Sequence, residues 1–356
     1  MGRSKSKSVD FSKLVRQNIR LLQPYRASEI PCRVKLDANE SPYSLRDKKP
    51  LSSDATVLGR LNRYPDPEAK ELKMAIAKKH GGATDSILLG NGSDELIYYL
   101  IIAFGGPVLY PVPTFSMYGI IAQALGEQGV GISLDEDFDL DVDAMSAAIK
   151  KHRPKLIFLS SPNNPTGNCF SSERILKIIE LSKGIVILDE AYQPFSSERG
   201  FLPLLKDYRN LAILRTLSKT GFAALRVGYL LGDKGLVAEV NKVRLPFNLN
   251  ALSQAVALEA FRKKPLIQRQ IHAIVAERER VFRALQAMRG VTAYPSEANF
   301  ILFKVPNAHK VFQGLIKQGV LIRNMQGAIK DALRVTIGTP RENTIFLEAL
   351  KTVLCS

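Results

Sequence analysis

Leu156-Ile-Phe-Leu-Ser160, followed at once by Ser161-Pro-Asn-Asn-Pro-Thr-Gly167, sets a pattern that recurs along the chain. Ile185-Val-Ile-Leu188 runs into Asp189-Glu-Ala-Tyr192, and Leu211-Ala-Ile-Leu214 into Arg215-Thr-Leu-Ser-Lys219. Short unbroken apolar runs closed by turn-forming or polar residues predict strands buried on both faces. Upstream, Ser86–Leu89 precedes Gly90-Asn-Gly-Ser-Asp-Glu95, and Val108–Tyr110 precedes Pro111-Val-Pro-Thr-Phe115. Helical patterns lie between the runs, at Asp94–Phe104, Phe115–Leu125, Val142–Lys151 and Ser172–Ser182. Strands alternating with helices predict an α/β domain on a mainly parallel sheet. In such sheets ligands bind outside the carboxyl ends of the strands. Five strand ends carrying polar, Gly-rich or Pro-rich chemistry therefore converge on one site.

From about Leu252 the pattern changes. A long charged helical stretch, Gln254 to Met288, leads to strands within Val291–Val305, a helix at His309–Gly319, strands at Val320–Arg323 and Ala332–Ile337, and a last helix from Arg341. This predicts a second, smaller α+β domain. A length of 356 residues suits two domains. The expected division is a large domain at 41–250 and a small C-terminal domain at 251–356, with an N-terminal segment, 1–40, packing beside the latter.

With 46% hydrophobic and 24% charged residues, the composition is that of a globular chain and excludes disorder for most of it. No apolar run approaches the length of a membrane helix. The start, Met1 to Arg20, is polar and basic, so no secretory signal is expected. Cys32, Cys169 and Cys355 lie far apart without a CxxC spacing, which supports neither a disulfide framework nor a zinc site and fits a reducing cytoplasm. The four histidines form no metal spacing, and no metal is expected.

A net charge of +16 fits either a nucleic-acid or anionic-membrane binder, or a basic solvated surface with an anion-binding pocket. Only Arg3 to Lys13 forms a basic arm; elsewhere basic residues alternate with acids on helical patterns, as in Glu68–Lys79. This favours the second reading, with small-molecule substrates and neither nucleic acid nor membrane as partner.

The strand ends carry the chemistry. Lys219 follows a strand, and Thr216, Ser218 and Arg226 supply hydroxyls and a guanidinium suited to a phosphate. A lysine beside a phosphate site, near acidic and aromatic groups, fits the Schiff base of pyridoxal 5′-phosphate (PLP). Asp189 is either a helix N-cap or the partner of a pyridinium nitrogen. Tyr192, three residues on, is in reach of the ring's phenolic oxygen. Asn163-Asn164-Pro165-Thr166-Gly167 is a turn on any reading, and functionally sets the Asn164 amide against the same oxygen. Gly90-Asn-Gly-Ser-Asp94 opens a helix whose N–H groups suit a phosphate; the third glycine of a dinucleotide fingerprint is missing. Phe115 either stacks on a flat ring or belongs to the core. Arg334, within apolar Leu333-Arg-Val-Thr-Ile337, and Arg323, after Leu321-Ile322, suit an anionic substrate.

These residues resemble the fold-type I PLP-dependent aminotransferases, and within them the histidinol-phosphate aminotransferase branch. The likeness runs from about Val15 to the C-terminus. It is carried by Ser161–Gly167, Asp189–Tyr192, Thr216-Leu-Ser-Lys219 and Leu225-Arg-Val-Gly228; the branch is carried by Asn18–Tyr25, Asp37–Tyr43, Arg63–Pro67 and Phe247–Asn250. The resemblance implies that Lys219 is the Schiff-base lysine and proton shuttle, that Asp189 holds the pyridinium, and that Tyr192 and Asn164 hold the phenolic oxygen. It implies Phe115 against the ring, where the family usually has tyrosine. Ser93, Asp94, Thr216, Ser218 and Arg226 would surround the cofactor phosphate, with Tyr64 reaching the phosphate of the other subunit of a homodimer. Tyr25, Asn39, Arg323 and Arg334 would bind substrate. The spacing from Lys219 to Arg226 is one residue shorter than in many relatives. The implied reaction moves the amino group of L-histidinol phosphate to 2-oxoglutarate in histidine biosynthesis. Aromatic amino-acid aminotransferases and a phosphothreonine decarboxylase share the fold.

Overall fold

The structure is a computed structural model and describes residues 15–23, 30–44 and 59–355. After a two-residue strand, β1 (Val34–Lys35), the chain forms β2 (Ile87–Asn91), β3 (Val108–Val112), β4 (Gly129–Ser133), β5 (Leu156–Ser160), β6 (Ile185–Asp189), β7 (Leu211–Thr216) and β8 (Val227–Gly232). The last seven make one sheet in the order β2-β8-β7-β6-β5-β3-β4. All neighbours are parallel except β8, which runs antiparallel to both β7 and β2. Two reversals restore β2 to the direction of β7. The carboxyl ends of β2, β3, β5, β6 and β7 thus share one edge, joined by the amino end of β8.

Side chains alternate between the two faces of each strand. Ile157 and Leu159 of β5 pack with the helices Lys70–His80, Val142–His152, Ser172–Leu181 and Ala251–Arg262; Leu156 and Phe158 pack with Ser93–Phe104, Met117–Leu125 and Lys234–Asn241. All four of these β5 side chains are fully buried, which is why the strand reads as a continuous apolar run.

The expected single helix over 254–288 is two, Ala251–Arg262 and Lys264–Gln286, broken at Lys263. Pro265 takes the first turn of the second helix, where its missing N–H costs nothing. Beyond it, β9 (Thr292–Ala293), β10 (Phe300–Lys304), β12 (Arg323–Asn324) and β13 (Ala332–Thr336) form a four-stranded antiparallel sheet ordered β12-β13-β10-β9. The expected strand 320–323 is split: β11 (Val320–Leu321) leaves this sheet and pairs in parallel with β1. The final helix, Pro340–Leu354, opens with a capping box between Thr339 and Glu342. Val34, Leu36 and Phe195 join the core beneath this second sheet.

Candidate active site

Ten of the residues predicted for the site line one cavity of about 480 Å³ at the shared strand edge. Helix Ser93–Phe104 brings Ser93 and Asp94 there, the segment after β3 brings Phe115, and the turn after β5 brings Asn164. β6 contributes Asp189 and, just beyond, Tyr192; β7 contributes Thr216, then Ser218 and Lys219. Arg226 arrives last, just ahead of β8, and reaches the edge only because β8 runs backwards.

One end of the cavity is built for an anion. Thr216 Oγ1 donates to Ser218 Oγ at 2.9 Å, Arg226 Nη1 donates to Ser218 Oγ at 3.3 Å, and Arg226 Nη2 donates to Asp94 Oδ2 at 3.2 Å. The shortened span from Lys219 thus still delivers the guanidinium, through a 3₁₀ turn at Ala223–Leu225 and a left-handed Arg226 at φ 52°. Two glycines make the close approach possible. A Cβ on Gly92, at φ 86°, would lie 2.5 Å from Arg226 Nη2, and one on Gly228 would lie 2.5 Å from the Ser93 N–H nitrogen. Helix Ser93–Phe104 points its unpaired N–H groups at the same place.

At the other end lies Asp189, 3% exposed. It accepts from the Tyr118 hydroxyl at 2.7 Å and from the Ala191 N–H at 3.1 Å. Burial pushes its carboxyl up to about 6, held back in part by the Tyr118 hydroxyl, the Ala191 N–H and the charge of Lys219. A buried carboxylate with two neutral donors still lacks a cation. A protonated ring nitrogen meets that need, so the residues present fit the cofactor. Tyr118 was not among the residues picked out from the sequence. It is fully buried in helix Met117–Leu125 and stacked on Phe158 at 4.8 Å. Burial first and the charge of Asp189 second push its phenol well above the ordinary tyrosine range, so it remains a donor.

Lys219 is half-buried, with Nζ 5.7 Å from the centre of the Tyr192 ring. The Tyr192 hydroxyl accepts from Asn39 Nδ2 at 3.0 Å. Arg334, on β13, donates from Nη1 to Asn164 Oδ1 at 2.5 Å and from Nη2 to the Asp37 carbonyl at 2.9 Å. Asn163, the other asparagine of the turn, is fully buried and structural: its Nδ2 donates to the Pro113 carbonyl and to Thr166 Oγ1.

Three predicted residues stand apart. Arg323 lies opposite Arg334 in the register of β12 and β13 and does not line the cavity. Tyr64 is 82% exposed and stacked on Phe247 at 4.5 Å, outside the cavity of its own chain. Tyr25 and the basic arm, Arg3 to Lys13, lie outside the described residues. Among the described residues no helix is long and apolar enough to cross a membrane.

A mainly parallel sheet with a lysine, an aspartate and an anion cradle gathered at one edge defines a fold-type I PLP-dependent transaminase. The chain belongs to the aminotransferase class I and II family, whose model matches residues 33–350, and its cofactor is PLP. It is 44% identical to histidinol-phosphate aminotransferase 2 of Nitrosococcus oceani, over 95% of this chain and 96% of that protein. It is also 44% identical to the histidinol-phosphate aminotransferase of Aquifex aeolicus, over 95% and 97%. Among solved structures, the histidinol-phosphate aminotransferase of Clostridium acetobutylicum superposes with a TM-score of 0.83 at 26% identity, covering 90% of this chain and 98% of that one. The Sinorhizobium meliloti structure, in complex with PLP, shares the fold at a TM-score of 0.82 and 24% identity over 91% and 92%.

Proposed function

We propose that this transaminase moves the amino group of L-histidinol phosphate to 2-oxoglutarate, giving imidazole acetol phosphate and L-glutamate. The observation that carries this reading is the 44% identity to two histidinol-phosphate aminotransferases along nearly the whole chain.

PLP, when bound, supplies an electron-accepting ring that stabilises negative charge at the substrate Cα. Lys219 Nζ would hold the cofactor, and as a free amine lining the same cavity it would be the base that takes the proton from the substrate Cα and the acid that gives it back. Asp189 holds the proton on the ring nitrogen, and Tyr118 holds Asp189 in place. Tyr192 and Asn164 meet the phenolic oxygen, and Phe115 covers the ring. Arg226, Ser218, Thr216, Ser93 and Asp94 hold the cofactor phosphate. Arg334, Arg323, Asn39 and Tyr25 take the substrate, its phosphate matched to the two guanidiniums. The two substrates use the site in turn, so the kinetics are ping-pong.

The same reading makes the protein a cytoplasmic homodimer, with Tyr64 reaching across to the cofactor phosphate of the other subunit. The high exposure of this aromatic, together with Leu61 and Leu245 at 63% and 64%, supports it. The division into 1–40, 41–250 and 251–356 belongs to this proposal too; the pairing of β1 with β11 is its support.

The test is an absorbance titration of the PLP-loaded protein with L-histidinol phosphate, phenylalanine and phosphothreonine in parallel. Histidinol phosphate alone should bleach the visible band, and 2-oxoglutarate should restore it. An equal response to phenylalanine, or release of CO2 from phosphothreonine, overturns the substrate assignment. Lys219→Ala should lose both the band and turnover; retained turnover overturns the chemistry.

A further inference from the structure

Asn39 is a non-glycine residue in the left-handed region, at φ 53°, and is 1% exposed. Two residues hold it. Its N–H donates to Thr336 Oγ1 at 2.9 Å, and its carbonyl accepts from Asn299 Nδ2 at 3.1 Å. Thr336, 3% exposed, has a single hydroxyl hydrogen, and Asn39 Oδ1 stands 3.1 Å away to take it. With the backbone N–H already on the hydroxyl oxygen, the hydrogen must go to Oδ1, or it would be buried unpaired. That choice fixes the carboxamide. Nδ2 is turned to the Tyr192 hydroxyl, at 3.0 Å, as its donor. A phenol oxygen that accepts there has its own hydrogen left to point elsewhere, and the cavity lined by Tyr192 is where it opens.

We infer that Thr336 is a positioning residue: acting through Asn39, it sets the direction of the Tyr192 O–H, so that Tyr192 donates into the cavity and favours a negatively charged cofactor oxygen. This rests on the proposal that Tyr192 meets the phenolic oxygen. It assigns a task to the end of β13, which lies outside the seven-stranded sheet. The charged and titratable groups around Tyr192 are Lys219, with Nζ 5.7 Å from its ring, Asp189, which lines the same cavity, Tyr118 of helix Met117–Leu125, which donates to Asp189, and Arg334 of β13, whose guanidinium lies 5.1 Å from the Phe300 ring packed edge-on to Tyr192. A substitution at Thr336 leaves the identity of each of these four groups unchanged.

A donor aimed at the oxygen stabilises its anionic form, so the proton nearby leaves at lower pH; removing the donor moves the midpoint up. The experiment is a pH titration of the visible band of the PLP-loaded protein. Thr336→Val, which keeps the shape and removes the hydroxyl, should raise the midpoint by about one pH unit, the scale of one lost hydrogen bond to a charged group. Thr336→Ser should restore it. Asn39→Gly, which tolerates the left-handed backbone, should raise the midpoint likewise and serves if the valine variant does not fold. In a Tyr192→Phe background, Thr336→Val should add nothing. If Tyr192→Phe shifts the midpoint and neither Thr336→Val nor Asn39→Gly does, the inference is overturned. If Tyr192→Phe itself leaves the midpoint unmoved, it is the reading of Tyr192 that falls.

Discussion

Asp189 and Glu190 are consecutive, both carboxylates, and buried alike at 3% and 1% exposure, yet they have opposite surroundings. Because side chains alternate at a strand end, they face opposite sides of the sheet. Glu190 turns away from the cavity and is fully partnered. Arg215, on neighbouring β7, donates to Glu190 Oε2 from Nε at 2.9 Å and from Nη2 at 2.6 Å, and the Phe201 N–H donates to Oε1 at 2.6 Å. The arrangement extends to His80, whose Nδ1 lies 3.3 Å from Arg215 Nη1 and whose Nε2 lies 3.2 Å from the Tyr229 hydroxyl. Burial first, then the charge of Arg215, pulls the His80 imidazole down to about 3. It is therefore neutral, with Nδ1 free to accept from Arg215. Asp189, on the other face, has a phenol and one N–H. Burial does not distinguish the two acids; the supply of positive charge does. The acid left short of a cation is the one at the cavity.

The comparison breaks most sharply at Asp189. If Asp189 holds the ring proton as proposed, Asp189→Asn removes that charge, and kcat should fall on the order of 10²–10³-fold, the scale of losing one aimed electrostatic contact. Melting of the cofactor-free variant should be no worse than wild type, since a costly buried charge has gone. A variant with nearly full activity would put Asp189 on the structural side.

Glu190→Gln should do the reverse. It leaves Arg215 buried without its anion, at a cost of roughly 3–5 kcal/mol. Chemical denaturation measures this, and the kcat of the protein that remains folded should stay within a few-fold. A catalytic collapse without loss of stability would erase the distinction.

The smallest effect is in pH. Asp189 is raised to about 6 in the folded, cofactor-free protein, against about 4 in an unfolded chain. The fold therefore binds this proton more tightly. Its contribution to stability is full below about pH 4 and is lost as pH rises through 6. Two units correspond to about 3 kcal/mol as an upper scale. Denaturation of wild type and Asp189→Asn between pH 4 and 7 should show this slope in their difference. Loading with PLP should flatten it, and a slope unchanged by the cofactor would mean that Asp189 does not pair with it.

Much of this was legible in the chain, for a physical reason. β5, β6 and β7 are covered on both faces, so each is a block of apolar letters, and the residue after the block falls at the edge where ligands bind. β4, at the sheet border, reads Gly-Val-Gly-Ile-Ser and is only partly covered, and the glycines of β8, Val-Gly-Tyr-Leu-Leu-Gly, dilute its signal. Tyr118 was hidden because its partner is distant in the chain and its place in the helix is that of an ordinary core residue. The pair Glu190–Arg215 was hidden in the same way, between residues that each looked like the flank of a better motif. The turn was read with Asn164 as its functional amide, and the structure shows Asn163 buried and tying the turn and Asn164 lining the cavity.

The backward run of β8 also bears on how the molecule is assembled. Among the described residues β2 is an edge strand whose sole sheet neighbour is β8, and β8 is made long after it. Pairing between segments so distant in sequence is slow to form. While a chain is still being synthesised, the parallel block from β3 to β7 can close, but β2 has nothing to pair with. The amide nitrogens at Ser93 then have no guanidinium across from them. One insertion supplies both at once. The anion cradle is therefore complete only once β8 lies between β7 and β2, and capture of a phosphate there reports that this end of the sheet has been assembled.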